Sequence, residues 1–206
     1  FGEVTFRSGD DTPVIVRDAG GARWWIRPLA RHLLRREATA LAALEGFGGV
    51  PQLIDINDDI LIRSYLAGAP MQEAKPRDPA WFNAVARLLR QLHTAGVVHN
   101  DMAKEPNLLV LHDGSPALID FQLAAHSSRR GRLFRIAAYE DIRHLLKHKR
   151  TYCAERLTQR ERNILANPSP FSRAWGATVK PIYLFVTRRI LGWADREGAG
   201  DRGAQP

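Results

Sequence analysis

Between Leu92 and Phe121 the chain alternates short apolar runs with single polar residues, and this pattern narrows the fold more than any other stretch. Val97-Val98, Leu108-Leu109-Val110-Leu111 and Ala117-Leu118-Ile119 read as short buried strands. The turn His112-Asp113-Gly114-Ser115-Pro116 joins the last two. Asp101, Asn107 and Asp120 each stand beside one of these runs, so the arrangement brings all three to one edge. Ahead of them Trp81, Val85, Leu88, Leu89 and Leu92 form one face of a helix that starts after Asp78-Pro79.

Two carboxylates and an amide within twenty positions are what phosphoryl transfer requires. One carboxylate orients and deprotonates a hydroxyl, while the other and the amide hold Mg²⁺ on the phosphates. The run Leu92-His93…His99-Asn100-Asp101, then Asn107, then Ile119-Asp120-Phe121, resembles the catalytic and metal-binding loops of the protein-kinase superfamily. The family pattern is H-R-D-x-x-x-x-N followed by D-F-G. The resemblance implies an α+β, bilobal protein-kinase-like fold. Residues 1–66 would form a small strand-rich N-lobe, 67–195 a reduced helical C-lobe, and 196–206 a disordered tail. It also implies ATP and Mg²⁺ as cofactors, Asp101 as the group accepting the hydroxyl proton, and Asn107 and Asp120 as metal ligands. Lys104 is placed to reach the transferred phosphate, or is a solvated surface lysine.

The first sixty residues follow the order of a kinase small lobe. Val4–Arg7 and Pro13–Arg17 read as strands around the turn former Gly9-Asp10-Asp11. Pro28 suits the first turn of a helix, along which Leu29, Leu33, Ala40, Leu41 and Leu44 recur at helical spacing until Gly46–Gly49. Ile54–Ile56 and Ile60–Arg63 then form a hairpin turning at Asn57-Asp58. Arg17 falls where kinases place the lysine that grips the nucleotide phosphates, and Glu37 where its ion-pair partner lies. Arginine for lysine is a departure, because a planar guanidinium and a compact ammonium are not interchangeable at a phosphate site. Phe1-Gly2-Glu3-Val4 resembles the tail of the glycine-rich loop, with Gly2 its one glycine. Ser64-Tyr65-Leu66-Ala67-Gly68 resembles the inter-lobe hinge, so the backbone of Ser64 and Leu66 would bind the adenine edge. Arg63 then stands at the back of the nucleotide pocket, an unusual place for a charge.

Other departures bear on which branch of the superfamily the chain is similar to. Asp101 to Asn107 is one residue longer than the family spacing, which reads as a local bulge in the loop. Asn100 replaces the arginine that anchors a phosphorylated activation loop, and Gln122 replaces glycine after Asp120-Phe121. No Ala-Pro-Glu follows, while Asp141 resembles the buried aspartate of the helix that supports the catalytic loop. Little chain remains after Asp141 for a large peptide-docking region. The resemblance is therefore to the compact atypical members, RIO-type kinases and the bacterial lipopolysaccharide kinases that phosphorylate Kdo or heptose. The acceptor is accordingly a protein serine or threonine, or a lipid-linked sugar.

A net charge of +8 points to an acidic partner such as nucleotide, nucleic acid, phosphosugar or anionic membrane. The basic row Arg27, Arg31, Arg35 lies on one helix face, either solvated or open to lipid phosphates or RNA. Between Arg173 and Trp193, aromatic and basic residues alternate as in an amphipathic helix that packs on the C-lobe or lies at an anionic membrane surface. The single cysteine, Cys153, agrees with a reducing compartment, and no apolar run is long enough to span a bilayer. The placement is cytoplasmic, with the inner membrane surface as an option. Two further classes stay open: a pseudokinase or nucleotide-binding scaffold, and an RNA-associated RIO-like ATPase.

Overall fold

The structure, a computed structural model, describes residues 3–7 and 13–168. Gly2, the amphipathic stretch 173–193 and the 196–206 tail lie outside the described residues. Four antiparallel strands open the fold: β1 (Glu3–Arg7), β2 (Val14–Asp18), β3 (Leu53–Ile56) and β4 (Ile60–Ser64). They pair in the order β1-β2-β4-β3, so β2 and β4 are central. The register pairs Ile15 with Arg63 and Arg17 with Leu61. Cross-strand partners share a face, so these four side chains stand on the same side of the sheet.

Helix α1 (Arg27–Ala42) packs against that side, with Leu34, Ala38 and Leu61 in one small cluster. Pro28 occupies its first turn, where a missing N–H costs nothing. The buried face is centred on Ala30, Leu34, Glu37 and Leu41. Leu29 falls at the margin of that face and is exposed, contrary to the reading from spacing. The basic row is also settled by tertiary contacts. Arg31 grips Asp59 through two bonds of 2.7 and 2.9 Å, Arg35 meets Asp58 at 3.1 Å, and Arg27 donates to the Gly20 carbonyl at 2.6 Å. The row binds the β3–β4 turn and the loop before α1.

The second part is built on helices α3 (Pro79–Thr94) and α4 (Arg132–Tyr152), with α2 (Met71–Ala74) before them and α5 (Gln159–Ala166) after. Asp78 caps α3 by accepting from the Ala80 N–H at 2.8 Å, and Pro79 follows it. Trp81, Phe82, Val85, Leu88, Leu89 and Leu92 bury one face of α3. They meet Met102, Leu108, Leu118, Phe121 and Leu145 in a single core cluster. Short strands β5 (Gly68–Pro70), β7 (Leu108–Leu111) and β8 (Pro116–Leu118) form one antiparallel sheet, and β6 (Val97–Val98) pairs with β9 (Ala125–His126).

Strand β8 starts and ends one residue earlier than its apolar run. The Ile119 N–H bonds to the Asn107 carbonyl at 3.0 Å instead of continuing the ladder. The β5–β7 and β6–β9 pairings are too short to leave a periodic signal. Helix α5 did leave one, a capping box in which Thr158 and Glu161 bond each other's backbone N–H groups. The sheet and the helical part touch at Gly49, which takes φ +75°. Its carbonyl accepts from the Leu118 N–H at 2.8 Å, and a Cβ there would stand 2.9 Å from the Pro116 carbonyl oxygen.

Candidate active site

Strand β6 carries the chain into the loop 99–107. Two successive N–H groups, of His99 and Asn100, donate to the Asp141 carboxylate on α4 at 2.8 and 2.9 Å. His93 Nε2 lies 3.1 Å from the same carboxylate. Asn100 adopts φ +61°, a conformation its short amide tolerates better than most side chains. Its Nδ2 donates to the Leu123 carbonyl at 3.0 Å.

The tautomer of His99 follows from its two contacts. The Asp101 N–H must donate, so His99 Nδ1 accepts it at 3.3 Å, and Nε2 carries the ring proton and donates to the Ile119 carbonyl at 3.0 Å. The imidazole therefore ties the two loops together, and its ring lies 4.8 Å from that of fully buried Phe121.

Asp101 itself is polarised. Its Oδ2 receives the Asn107 Nδ2 amide at 3.0 Å and lies 2.8 Å from Lys104 Nζ. Among the described residues its Oδ1 has no partner. Asn107 also donates to the Asp101 carbonyl at 3.0 Å, so its amide nitrogen is wholly engaged inside the loop and its oxygen is left for other use.

The extra loop residue is absorbed in a 3₁₀ turn, Glu105–Asn107, with Pro106 at its start. Glu105 is buried there, accepts from the Tyr152 hydroxyl at 2.6 Å and lies 3.8 Å from His148 Nδ1. His148 Nε2 in turn donates to the Met102 carbonyl at 2.8 Å. Asp141, His148 and Tyr152 are spaced to share one face of α4, so a single helix face fixes the loop at three points.

Asp120 directly follows Ile119 in a left-handed conformation, φ +64°. Phe121, Gln122 and Leu123 then form a 3₁₀ turn. Gln122 is not among the positive-φ residues, so this conformation does not need the family's glycine at that position. Arg36 of α1 clamps the segment by donating to the Leu123 carbonyl at 2.8 Å and to that of Ala124 at 3.0 and 3.1 Å.

Across from these loops, the sheet and α1 assemble a cluster of four charges. Arg17 Nε lies 3.2 Å from Glu37 Oε2, and Arg17 Nη2 donates to Asp120 Oδ1 at 3.0 Å. Arg63 Nε lies 3.2 Å from the other Glu37 oxygen, Oε1. The two contacts to Glu37 are ionic and lack the alignment of a hydrogen bond. Glu37 is wholly buried, and that burial pushes its carboxyl above the usual range while Arg17 and Arg63 pull it back. Burial likewise lowers Arg63, opposed by Glu37. Arg63 had no evident role in the sequence, because only the fold shows that it and Glu37 meet.

In the link after β4, the Ser64 N–H donates to the Gln52 carbonyl at 2.9 Å and its hydroxyl accepts from the Gln52 N–H at 2.8 Å. The next N–H, of Tyr65, goes to the Pro13 carbonyl at 3.1 Å. Leu66 is the first residue of the link whose backbone has no hydrogen-bond partner among the described residues.

Asn107 and Asp120 offer hard oxygens on adjacent segments, joined by the Ile119–Asn107 backbone bond. Among the described residues no group of three or more His, Cys, Asp or Glu is arranged around a metal position. Two oxygen ligands suit Mg²⁺, which keeps several waters and takes phosphate oxygens as further ligands.

Comparison with known proteins bears on the family and the fold. The RIO domain family matches residues 18–164. A probable serine/threonine-protein kinase BUD32 homolog of Archaeoglobus fulgidus is 29% identical over 116 residues, covering 54% of this chain and 57% of that protein. A probable bifunctional tRNA threonylcarbamoyladenosine biosynthesis protein of Methanospirillum hungatei is 34% identical over 103 residues, covering 50% of this chain and 19% of that protein. The chain thus spans 19% and 57% of the lengths of these two curated relatives. The crystal structure of the Rio2 kinase from Chaetomium thermophilum superposes with a TM-score of 0.60 at 16% identity, over 83% of this chain and 57% of that one. A protein-kinase-like fold and a family match over most of the chain lead to one conclusion: the protein belongs to the RIO-domain family of atypical, protein-kinase-like proteins.

Proposed function

We propose that the chain is an ATP- and Mg²⁺-dependent phosphotransferase that acts on a protein serine or threonine hydroxyl. The observation that carries this reading is the Asp101 carboxylate: Oδ2 is held by Asn107 and Lys104, while Oδ1 has no partner among the described residues. A hydroxyl donating to Oδ1 is oriented for attack, and its proton passes to Asp101 as the new O–P bond forms and the bond to ADP breaks. Asn107 and Asp120 would hold the metal, whose charge would offset that of the phosphates. Arg17 is the guanidinium that turns toward the phosphates, leaving Asp120 to the metal. Lys104, half-exposed and 2.8 Å from Asp101 Oδ2, is the cation assigned to the transferred group in this reading. The Leu66 backbone receives the adenine edge, since Ser64 is already engaged by Gln52. A protein acceptor is favoured by the name of the Archaeoglobus relative. A lipid-linked sugar and contact with a membrane surface find no support among the relatives, and among the described residues no helix is long and apolar enough to cross a membrane.

The test compares the native chain with Asp101→Asn. The variant is expected to bind Mg·ATP within about threefold of native while transfer falls by ~10²–10⁴ fold. Transfer at the native rate would remove Asp101 from the mechanism. ATP binding without transfer by the native chain on any acceptor would instead favour a pseudokinase.

A further inference from the structure

Glu37 is an unusual anion for a nucleotide site, because two guanidiniums hold it and they come from different depths. Arg63 stands on the central strand β4, flanked by Ile15 of β2 and Leu53 of β3, with its side chain only 7% exposed. Glu37 is its one ion-pair partner among the described residues. Arg17 lies nearer the surface, divides itself between Glu37 and Asp120, and Asp120 is the most exposed of the four. The two cations and two anions cancel as they stand.

A fully buried carboxylate needs a cation at all times, since removing one partner of a buried pair is far costlier than never burying the pair. If Arg17 were the only partner, its movement toward incoming phosphates would strand Glu37. Arg17 alone would then have to hold Glu37 while turning from Asp120 to the phosphates. Arg63 removes that conflict.

We propose that Arg63 is a positioning residue for nucleotide binding: it serves as the resident counter-ion of Glu37 and so releases Arg17 to the phosphates. This rests on the nucleotide-site reading above. It predicts an effect confined to ligands that carry phosphate. Without Arg63, Arg17 is captured by Glu37 and the phosphates lose their partner, while the adenine contacts stay as they were.

The test measures equilibrium binding of Mg·ATP and of adenosine to the native full chain, Arg63→Met, Arg63→Gln and the double variant Arg63→Met/Glu37→Gln. Each is first checked for a cooperative melt. In Arg63→Met, ATP affinity is expected to fall about tenfold or more with adenosine affinity unchanged. The double variant, which has no carboxylate to capture Arg17, is expected to recover most of the lost affinity. Arg63→Gln keeps a polar group against Glu37 without charge. It should show the same ATP-selective loss, and so replaces Arg63→Met should that variant fail to fold. ATP affinity equal to native in the single variants, an equal fall for ATP and adenosine, or no recovery in the double variant would overturn the role of Arg63. A native chain that binds neither ligand would overturn the nucleotide-site reading itself.

Discussion

Asp141 illustrates what a single residue does for this site. Its two oxygens accept the N–H groups of His99 and Asn100 and lie beside His93, so one carboxylate sets the path of the chain into Asp101. Asp141→Ala would leave two backbone donors without an acceptor, at about 1–3 kcal/mol each. We expect a loss of roughly 2–6 kcal/mol in urea unfolding, and phosphate transfer reduced more than ATP binding. At this scale the sequence was informative where neighbours in the chain are neighbours in space. Asp101, Asn107 and Asp120 sit within one short stretch of strands, and their spacing alone predicts their convergence. The Glu37–Arg63 contact and the hold of Tyr152 and His148 on Glu105 join distant residues. Nothing in local pattern marks a charged residue as buried, so these were out of reach.

At the scale of elements, α1 and α4 act as two clamps on the loops between them. Arg36 makes three bonds from α1 to the carbonyls of Leu123 and Ala124, just past Asp120. Arg36→Met is expected to destabilise the fold by about 1–2 kcal/mol, the scale of partly exposed charged hydrogen bonds. Its clearer signature is faster amide exchange over residues 121–126, by about tenfold for that free energy. On α4, burial holds His144 at about 4, well below its ordinary value near 6.5. The neutral imidazole is therefore the form the fold favours. The stability it contributes is complete above about 6.5 and is lost as pH falls toward 4. Thermal melts should drop through that window, and His144→Gln should flatten part of the drop; a variant with the native profile would remove His144 as the cause. Element boundaries were readable where caps and apolar faces are strong, as in α3 with Asp78-Pro79. Leu29 was misplaced because helical spacing alone does not say where a buried face is centred; the contacts of α1 with the sheet decide that.

The whole molecule is a strand-rich sheet and a helical part that present one cluster of charge between them. Arg17, Glu37 and Arg63 come from the sheet and α1, and Asp120 from the helical side. The Arg17–Asp120 contact joins the two parts at this cluster. The basic row on α1, open from sequence to an anionic partner, is taken up internally by Asp58, Asp59 and Gly20. The α1 row is therefore not the charge that would meet an acidic ligand. The most direct test of the account is γ-phosphate-labelled ATP with Mg²⁺, incubated with the native chain and a cell extract separated afterwards into protein and lipid. The account predicts label in the protein fraction, dependent on Mg²⁺ and absent with Asp101→Asn. Label confined to the lipid fraction would contradict the protein acceptor, and label persisting in the variant would contradict the site.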